Sequence, residues 1–261
     1  MNELTDRITA LDITLYNAVG SATSSGDRRS LLAVQRAAAG KHKEYVYLEI
    51  GSHLGGSIQS HLVDDRCKTI YSIDSRPFQA RDDRAPGCFA YYEDNTSAKM
   101  LSLLGRIPHG DVTKIECFDM DASEVDKKRI KRKPQIVFID GEHTTTAVLS
   151  DFRFCSEVLG NGGTILFHDF SIIYPALYSI CKLLKTQHRN HISLKLEGEV
   201  FAIFFDQNIM LSDEYLADMY ARNKHYLKKY VLKQAMKKTI KRLLPSRALR
   251  VIRTARYWAG M

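Results

Sequence analysis

Residues 48–57 have the sequence LEIGSHLGGS, and this stretch decides the fold. Its apolar start is typical of a buried strand, which runs into a glycine-rich loop and then into a helix. Residues 139–143, IDGEH, are a second strand end, where an apolar segment stops at an acid, a glycine and a histidine. Ligands bind open α/β sheets outside the carboxyl ends of the strands. The two stretches therefore predict a cofactor loop beside proton-transfer or metal-binding residues.

From residue 45 onward, strand-like and helix-like segments alternate. The expected strands are residues 45–50, 69–73, 114–118, 136–139, 164–167, 192–196 and 200–205. The last two are separated by Glu197-Gly198-Glu199, which is typical of a hairpin turn. Alternation of this kind predicts an α/β fold with a seven-stranded, mostly parallel sheet and an antiparallel terminal hairpin. Residues 76–92 are expected to be irregular.

The chain divides into three expected segments. Residues 1–43 are predicted to form an N-terminal helical cover, in which Asp27 caps a helix over residues 28–39. Residues 44–208 form the sheet domain, where Asn95 is expected to cap a further helix. Residues 209–261 are predicted to form a tail of basic amphipathic helices, because Pro245 interrupts a helical pattern there.

Charge is distributed unevenly along the chain. The net charge is +8, yet thirteen of the 38 Lys and Arg residues lie between Arg222 and Arg256, where no Asp or Glu occurs. The other 25 are outnumbered by 30 acidic residues, so the body is mildly acidic. The first residues do not resemble a signal peptide, and the five cysteines form no C-x-x-C pair. These features predict a cytoplasmic protein with reduced thiols.

The basic tail has one apolar face, which includes Leu232, Met236, Ile240, Leu243 and Leu244, and it ends near the single tryptophan, Trp258. A basic amphipathic helix with an aromatic anchor can lie on an anionic membrane surface. Packing on the sheet domain or on a partner, including a second copy in a homo-oligomer, is the alternative. Nucleic-acid binding is disfavoured, because aromatic residues that could stack on bases are not interleaved with the charges.

The glycine loop has the pattern G-x-x-x-G-G, which is neither the dinucleotide fingerprint nor a P-loop. Glu49, just before the loop, suits a ligand that carries an amino group. Asp74 ends the second strand about twenty residues later, where an acid can accept both hydroxyls of a ribose. Asp121 and Ala122 follow the third strand. The alternative for all these positions is an ordinary structural turn.

Four motifs together resemble the class I S-adenosylmethionine-dependent methyltransferases: LEIGSxxGGS, then IDS at 73–75, FIDGEH at 138–143 and GGTILFHDF at 162–170. More narrowly, the sequence is similar to sugar and small-molecule O-methyltransferases with a D-G-x-H motif. The resemblance covers residues 45–205. It implies a Rossmann-like fold, S-adenosylmethionine as cofactor, and methyl transfer to a hydroxyl. The expected acceptor is a sugar on a lipid-linked or cell-surface glycan, as in polysaccharide biosynthesis.

The resemblance also implies roles for individual residues. Those expected to bind the methionine, ribose and adenine parts of the cofactor are Glu49, Gly51, Ser52, Gly55, Asp74, Asp121 and Ala122. His143 matches a general base, and Asp140 is the second catalytic candidate. Asp140 and Asp169 match acids that bind Mg²⁺ in metal-dependent relatives.

The residue before Asp169 is His168, where many of those relatives have an acid. Imidazole suits Mn²⁺ better than Mg²⁺. The resemblance implies a divalent metal, Mg²⁺ or Mn²⁺, on Asp140, His168 and Asp169, and a site that works without a metal is the alternative. The alternatives are a structural role for His143, bonded to backbone at a helix start, and a substrate-facing role for His168.

Three rival functions remain open at this point. The first is an RNA methyltransferase that uses the basic tail as an electrostatic arm. The second is a cofactor-binding or assembly protein without turnover. The third is a hydroxylase or another activity on the same scaffold, because a fold does not determine its chemistry.

Overall fold

A computed structural model describes residues 3–243, with side chains described up to residue 240. The second predicted tail helix, which follows Pro245 and contains Trp258, lies outside the described residues. The described chain forms two units: one extends to Lys224, and the other begins at His225.

The first unit is built on a seven-stranded sheet. Its strands are β1 (Tyr45–Ile50), β2 (Cys67–Ile73), β5 (Ile115–Phe118), β6 (Ile136–Ile139), β7 (Thr164–Phe167), β8 (Ile192–Lys195) and β9 (Phe201–Phe204). The spatial order is β5-β2-β1-β6-β7-β9-β8. The first five strands in this order are parallel, and β9 pairs antiparallel with both β7 and β8. The predicted Rossmann-like sheet and its terminal hairpin are confirmed.

Nine α-helices surround or follow the sheet in the described chain. They are α1 (Glu3–Thr9), α2 (Ser25–Lys41), α3 (Gln59–Leu62), α4 (Ser97–Leu104), α5 (Thr145–Val158), α6 (Phe170–Thr186), α7 (Gln207–Leu211), α8 (Glu214–Asn223) and α9 (Tyr226–Leu243). The first eight belong to the first unit, and α9 is the described part of the second. No helix among residues 3–243 is long and apolar enough to cross a membrane.

The central strands are buried along their whole length. Every residue of β1, β6, β7 and β9 is buried, as expected for sheet strands that are covered on both faces. Helix α2 contributes Leu32 and Val34 to the same apolar core as Tyr47 and Phe138. The N-terminal helices are therefore part of the core of the first unit.

Four local expectations are corrected by the structure. Residues 76–92 contain a hairpin of β3 (Gln79–Asp82) and β4 (Cys88–Tyr91). The sequence did not predict it, because this mostly polar segment has no apolar run. Ser24, not Asp27, caps α2: its hydroxyl accepts from the backbone N–H of Asp27, whose carboxylate accepts from that of Ser24. Thr96, not Asn95, caps α4. The helix expected after the glycine-rich loop is only the short α3.

Candidate active site

A cleft opens beyond the carboxyl ends of β1, β2 and β6, at the point where the strand order reverses. Its volume is about 820 Å³, part of it open to solvent. Such a switch point is where open α/β sheets bind ligands. Five of the residues singled out from the sequence line it: Gly51, Asp74, Asp121, Ala122 and Asp140.

Backbone hydrogen bonds around Gly51 join β1, β2 and β6 at the floor of the cleft. Its backbone N–H donates to the Ile73 carbonyl at 2.9 Å, and the N–H of Asp140 donates to the Ile50 carbonyl at 2.8 Å. Gly51 has φ +86°, and a Cβ there would lie 2.2 Å from the Asp140 carbonyl oxygen. Only glycine fits, because both the conformation and the close approach exclude a side chain.

Two polar atoms close to Gly51 in sequence have no hydrogen-bond partner in the described chain. Within the described chain, the hydroxyl of Ser52 and Nε2 of His53 are buried without a hydrogen bond. Buried polar atoms are normally satisfied, so the unpaired Nε2 of His53, a residue that lines the cleft, and the Ser52 hydroxyl next to it in sequence are available to a ligand or ordered water. Together with the glycine turn, they fit a polar cofactor lying along this loop.

Asp74 ties the loops after β1 and β2 together at the cleft wall. Its carboxylate accepts from the backbone N–H of His53 at 2.8 Å and of Arg76 at 2.7 Å. The Asn95 amide donates to the same carboxylate at 3.5 Å. Asp74 is buried yet reaches the cleft, so its carboxylate is fixed where a hydroxyl-bearing ligand would meet it.

Glu49 and Gly55 lie behind the loop instead of lining the cleft. Glu49 is fully buried and accepts from the hydroxyls of Tyr47 and Ser57. Burial raises the pKa of Glu49 to about 8, against the opposing effect of those hydrogen bonds. At Gly55, with φ +83°, a Cβ would lie 2.7 Å from the Leu104 side chain, so this glycine serves the packing of α4.

Asp121 and Ala122 form the wall after β5. The Asp121 carboxylate accepts from the backbone N–H of Ser123 at 2.8 Å and caps the short 3-10 turn over residues 122–124. The carboxylate is thus held by its own turn, whereas buried Ala122 contributes an apolar surface to the cleft.

Four residues form an acid–histidine cluster next to the cleft: Asp140, His143, His168 and Asp169. Nε2 of His143 lies 2.9 Å from Asp169 Oδ2 and 3.7 Å from Asp140 Oδ1. Nδ1 of His168 lies 3.1 Å from Asp140 Oδ1 and 3.5 Å from Asp169 Oδ2. Asp169 precedes α6 in a left-handed conformation, with φ 52°, and its side chain makes no cap hydrogen bond. Its carboxylate meets the histidines instead.

The electrostatics of the cluster favour charged groups. Burial by itself lowers the pKa of a histidine and raises that of an acid. Here the hydrogen bonds and charges of Asp140 and Asp169 outweigh burial, raising the pKa of His143 to about 10 and that of His168 well above its usual range. The same contacts lower the pKa of both acids despite their burial. These contacts therefore favour the charged form of each of the four groups.

Each histidine also meets a carboxylate on its outer side, which the sequence did not indicate. Nδ1 of His143 lies 3.4 Å from Asp82 on β3, and Nε2 of His168 lies 3.4 Å from Asp27 on α2. Asp82 is 61 residues from His143, in the segment expected to be irregular. We call Asp27 and Asp82 the outer carboxylates.

The donor set fits a divalent cation. One ligand atom each from Asp140, His143 and Asp169 lie within 4.8 Å of one another. Carboxylate and imidazole ligands of this kind bind Mn²⁺ and similar metals. His168, which was expected to be the third ligand, lies outside this group of three, although it contacts both acids.

Comparison with known proteins identifies the domain. Residues 48–170 match the family described as a methyltransferase domain. Uncharacterised protein R132 of Acanthamoeba polyphaga mimivirus is 26% identical over 128 residues, 49% of this chain and 52% of that protein. The O-methyltransferase NovP is 10% identical with a TM-score of 0.53, covering 77% of this chain and 98% of NovP. MycE methyltransferase from the mycinamycin biosynthetic pathway, in complex with Mg and SAH, is 14% identical with a TM-score of 0.51, covering 77% and 54%.

These matches confirm the resemblance drawn from the four motifs. Residues 48–170 match a methyltransferase domain, and the sheet has the fold of the O-methyltransferase NovP and of MycE methyltransferase, which was solved with SAH. The chain spans about half the length of R132 and of MycE.

Proposed function

We propose that the protein transfers a methyl group from S-adenosylmethionine to a hydroxyl oxygen, and that this hydroxyl belongs to a sugar on a lipid-linked or cell-surface glycan. One observation carries the proposal. The acid–histidine cluster adjoins the glycine-loop cleft through Asp140, so a cofactor and a proton acceptor can meet at one place.

The loop after β1 and the end of β2 would hold the cofactor. The Gly51 backbone allows close approach, the Ser52 hydroxyl and His53 Nε2 are available for hydrogen bonds, and Asp74 would accept the ribose hydroxyls. Ala122 would offer an apolar surface to the adenine, with Asp121 beside it. When bound, S-adenosylmethionine supplies an electrophilic methyl group.

The cluster would prepare the acceptor. Asp140 and Asp169, with help from His168, would hold a divalent cation, which would offset their charge and lower the pKa of a neighbouring hydroxyl. Asp140 and Asp169 raise the pKa of His143, and the cation would offset that effect, so that His143 would accept the hydroxyl proton at Nε2, the nitrogen that faces the two acids. A positioned base of this type typically contributes 10²–10⁴-fold in rate.

Two exposed aromatic side chains, each next in sequence to a residue that lines the cleft, support a bulky, partly apolar acceptor. Phe78 and Tyr91 are 66% and 64% exposed and form an edge-on pair with ring centroids 5.9 Å apart. Their chain neighbours Pro77 and Tyr92 line the cleft. Exposed aromatic rings at the rim of a pocket suit the apolar face of a sugar ring.

A test of the activity combines binding and turnover. Calorimetry should detect S-adenosylhomocysteine binding in the micromolar range, and nucleotide-linked or lipid-linked sugars should accept a methyl group. Chelation with EDTA should abolish the transfer, and Mg²⁺ or Mn²⁺ should restore it. Full activity after exhaustive chelation would remove the metal from the proposal, and a protein that binds the cofactor without methylating any sugar would support the assembly role.

The basic tail would bring this enzyme to the cytoplasmic face of a membrane. In α9, the exposed side chains of Leu232, Met236 and Ile240 are spaced four residues apart and share one face, amid seven Lys and Arg of the same helix. Each basic residue near an anionic surface contributes roughly 1 kcal/mol, and the apolar face adds a term that salt does not screen.

Vesicle co-sedimentation tests the tail. The full-length protein should bind vesicles rich in anionic lipid at low salt and retain part of that binding at high salt. Replacing Leu232, Met236 and Ile240 together by serine should abolish the salt-resistant part, whereas Leu211→Ser, an exposed leucine on α7, should not. Equal binding by all three proteins, or binding only to RNA, would contradict membrane docking.

A further inference from the structure

We infer that Asp82, on the hairpin between β2 and α4, is a positioning residue for methyl transfer: it holds His143 through Nδ1, so that Nε2 faces Asp140 and Asp169. The inference rests on the proposed function, in which Nε2 accepts the proton of the acceptor hydroxyl.

The β3–β4 hairpin is hydrogen-bonded to the segment around His143 through both backbone and side-chain groups. Asp82 and His143 form an isolated parallel bridge, in which the N–H of Asp83 donates to the His143 carbonyl at 3.1 Å. The Asp83 carboxylate accepts from the backbone N–H of Thr145, the first residue of α5, at 3.0 Å. The position of the histidine is thereby set from the hairpin side.

Asp82 adds the contact that orients the ring. It is 5% exposed, and its Oδ2 lies 3.4 Å from Nδ1 of His143. Its other oxygen accepts from the backbone N–H of Arg84 at 2.7 Å, and the Arg84 guanidinium lies 3.4 Å from Oδ2. These contacts keep the carboxylate in place within the hairpin, aimed at the imidazole.

The chemistry of the pair determines which nitrogen can react. A carboxylate accepts hydrogen bonds and cannot donate one, so the Nδ1 beside Asp82 keeps its proton. Nε2 also faces carboxylates, but Asp140 and Asp169 are the acids that would hold the cation, whereas Asp82 is not. Nε2 is therefore the nitrogen that would take up the proton of the acceptor hydroxyl. Histidines that bind metals or act as bases are commonly fixed in this way by a carboxylate behind the ring.

Asp83 provides a matched comparison. It lies next to Asp82 in the same hairpin and also anchors the segment after β6, but its carboxylate bonds a backbone N–H and not the ring. A purely structural role for the hairpin would make Asp82→Asn and Asp83→Asn equivalent. A role in orienting the ring would separate them.

The experiment uses the full-length protein and its Asp82→Asn, Asp82→Glu and Asp83→Asn variants. We expect Asp82→Asn to lower kcat 10- to 100-fold, while the KM of the sugar acceptor and the Kd of S-adenosylhomocysteine change less than threefold. Asp82→Glu, which retains a carboxylate, should recover part of kcat. Asp83→Asn should keep kcat within threefold even where it lowers the melting temperature.

Nitrogen-15 NMR of the histidine rings supplies a readout that does not need turnover. The wild-type spectrum should contain an exchange-protected Nδ1–H proton, assigned to His143 by its absence in His143→Gln, and Asp82→Asn should lose that protection. An unprotected Nδ1 in the wild type, or equal losses of kcat in Asp82→Asn and Asp83→Asn, would overturn the inference. If no sugar is methylated, the proposed function fails, yet the NMR result still decides whether Asp82 orients His143.

Discussion

The candidate site has two halves, the cofactor half at the glycine-loop cleft and the acid–histidine cluster beside it, and they are built from different parts of the chain. The cofactor half depends on backbone geometry in two short loops, at Gly51 and around Asp74. The acid–histidine cluster depends on side chains that meet from distant segments, since the outer carboxylates reach it from α2 and from β3. Cofactor binding should therefore be sensitive to changes in the backbone conformation of these loops, whereas turnover should be sensitive to the loss of single charged groups.

Of the variants considered, His143→Ala is expected to show the largest difference between its effect on kcat and its effect on cofactor binding. Removing the base should lower kcat by about 10²–10⁴-fold. The Kd of S-adenosylhomocysteine should stay within threefold, because His143 makes no contact with the glycine loop or Asp74 among its described polar contacts. Steady-state kinetics and calorimetry on the same preparation measure both quantities. Near-full activity of His143→Ala would reduce the histidine to a structural residue.

The difference between the halves also explains how much was predictable. The cofactor half follows from contiguous motifs, because a strand, a glycine turn and a helix start are all local signals. Asp140, His143, His168 and Asp169 could be expected to meet because β6 and β7 are neighbours and end at the same sheet edge. The family resemblance implied this grouping, and the neighbouring parallel strands β6 and β7 explain how it forms.

The outer carboxylates could not be found in the same way. Asp82 is the last residue of β3, a strand of mixed polarity, and its partner His143 is 61 residues away in the sequence. Asp27 was identified as a helix cap, and the structure uses its carboxylate in the capping box while also placing it 3.4 Å from His168. Long-range side-chain pairs of this kind leave no periodicity in a single sequence. Glu49 and Gly55 illustrate the converse, since they belong to the loop motif but lie behind the cleft wall.

Gly51→Ala tests the backbone dependence of the cofactor half. The added Cβ would collide with the Asp140 carbonyl in a left-handed conformation, so we expect a loss of about 3–5 kcal/mol of unfolding free energy together with loss of cofactor binding. Gly87→Ala is the matched control: Gly87 has φ +73° and open space around it, so it should lose only about 1–2 kcal/mol. If urea denaturation shows equal losses of unfolding free energy in the two variants, then the left-handed conformation of Gly51, and not its close approach to the Asp140 carbonyl, excludes a side chain.

The pKa of another buried acid extends the comparison between the halves. Asp151, on α5, lines the cleft and is buried. Burial, together with the charges of Asp121 and Glu142, raises the pKa of Asp151 to about 7. Asp140 and Asp169, with histidine partners, have a lowered pKa at the same sheet edge. The cleft therefore contains acids whose pKa values are shifted in opposite directions.

The smallest predicted effect is the pH dependence that Asp151 adds to stability. Its folded-state pKa of about 7 lies above the usual value of 3.8, so the folded protein retains a proton there that the unfolded chain has lost. The stabilising contribution is complete below about pH 4 and declines as the pH rises to about 7, beyond which it is constant. Asp151→Asn removes this titration, so the variant should gain about 1–3 kcal/mol relative to wild type between pH 4.5 and pH 8. Urea denaturation of both proteins at fixed ionic strength measures the difference, in which the titrations of His143 and His168 cancel. Glu93→Gln, an exposed acid, is the control and should follow the wild-type curve. Parallel curves for wild type and Asp151→Asn would mean that the carboxylate is ionised in the folded protein, as it is in the acid–histidine cluster, and that burial alone does not distinguish the acids of this cleft.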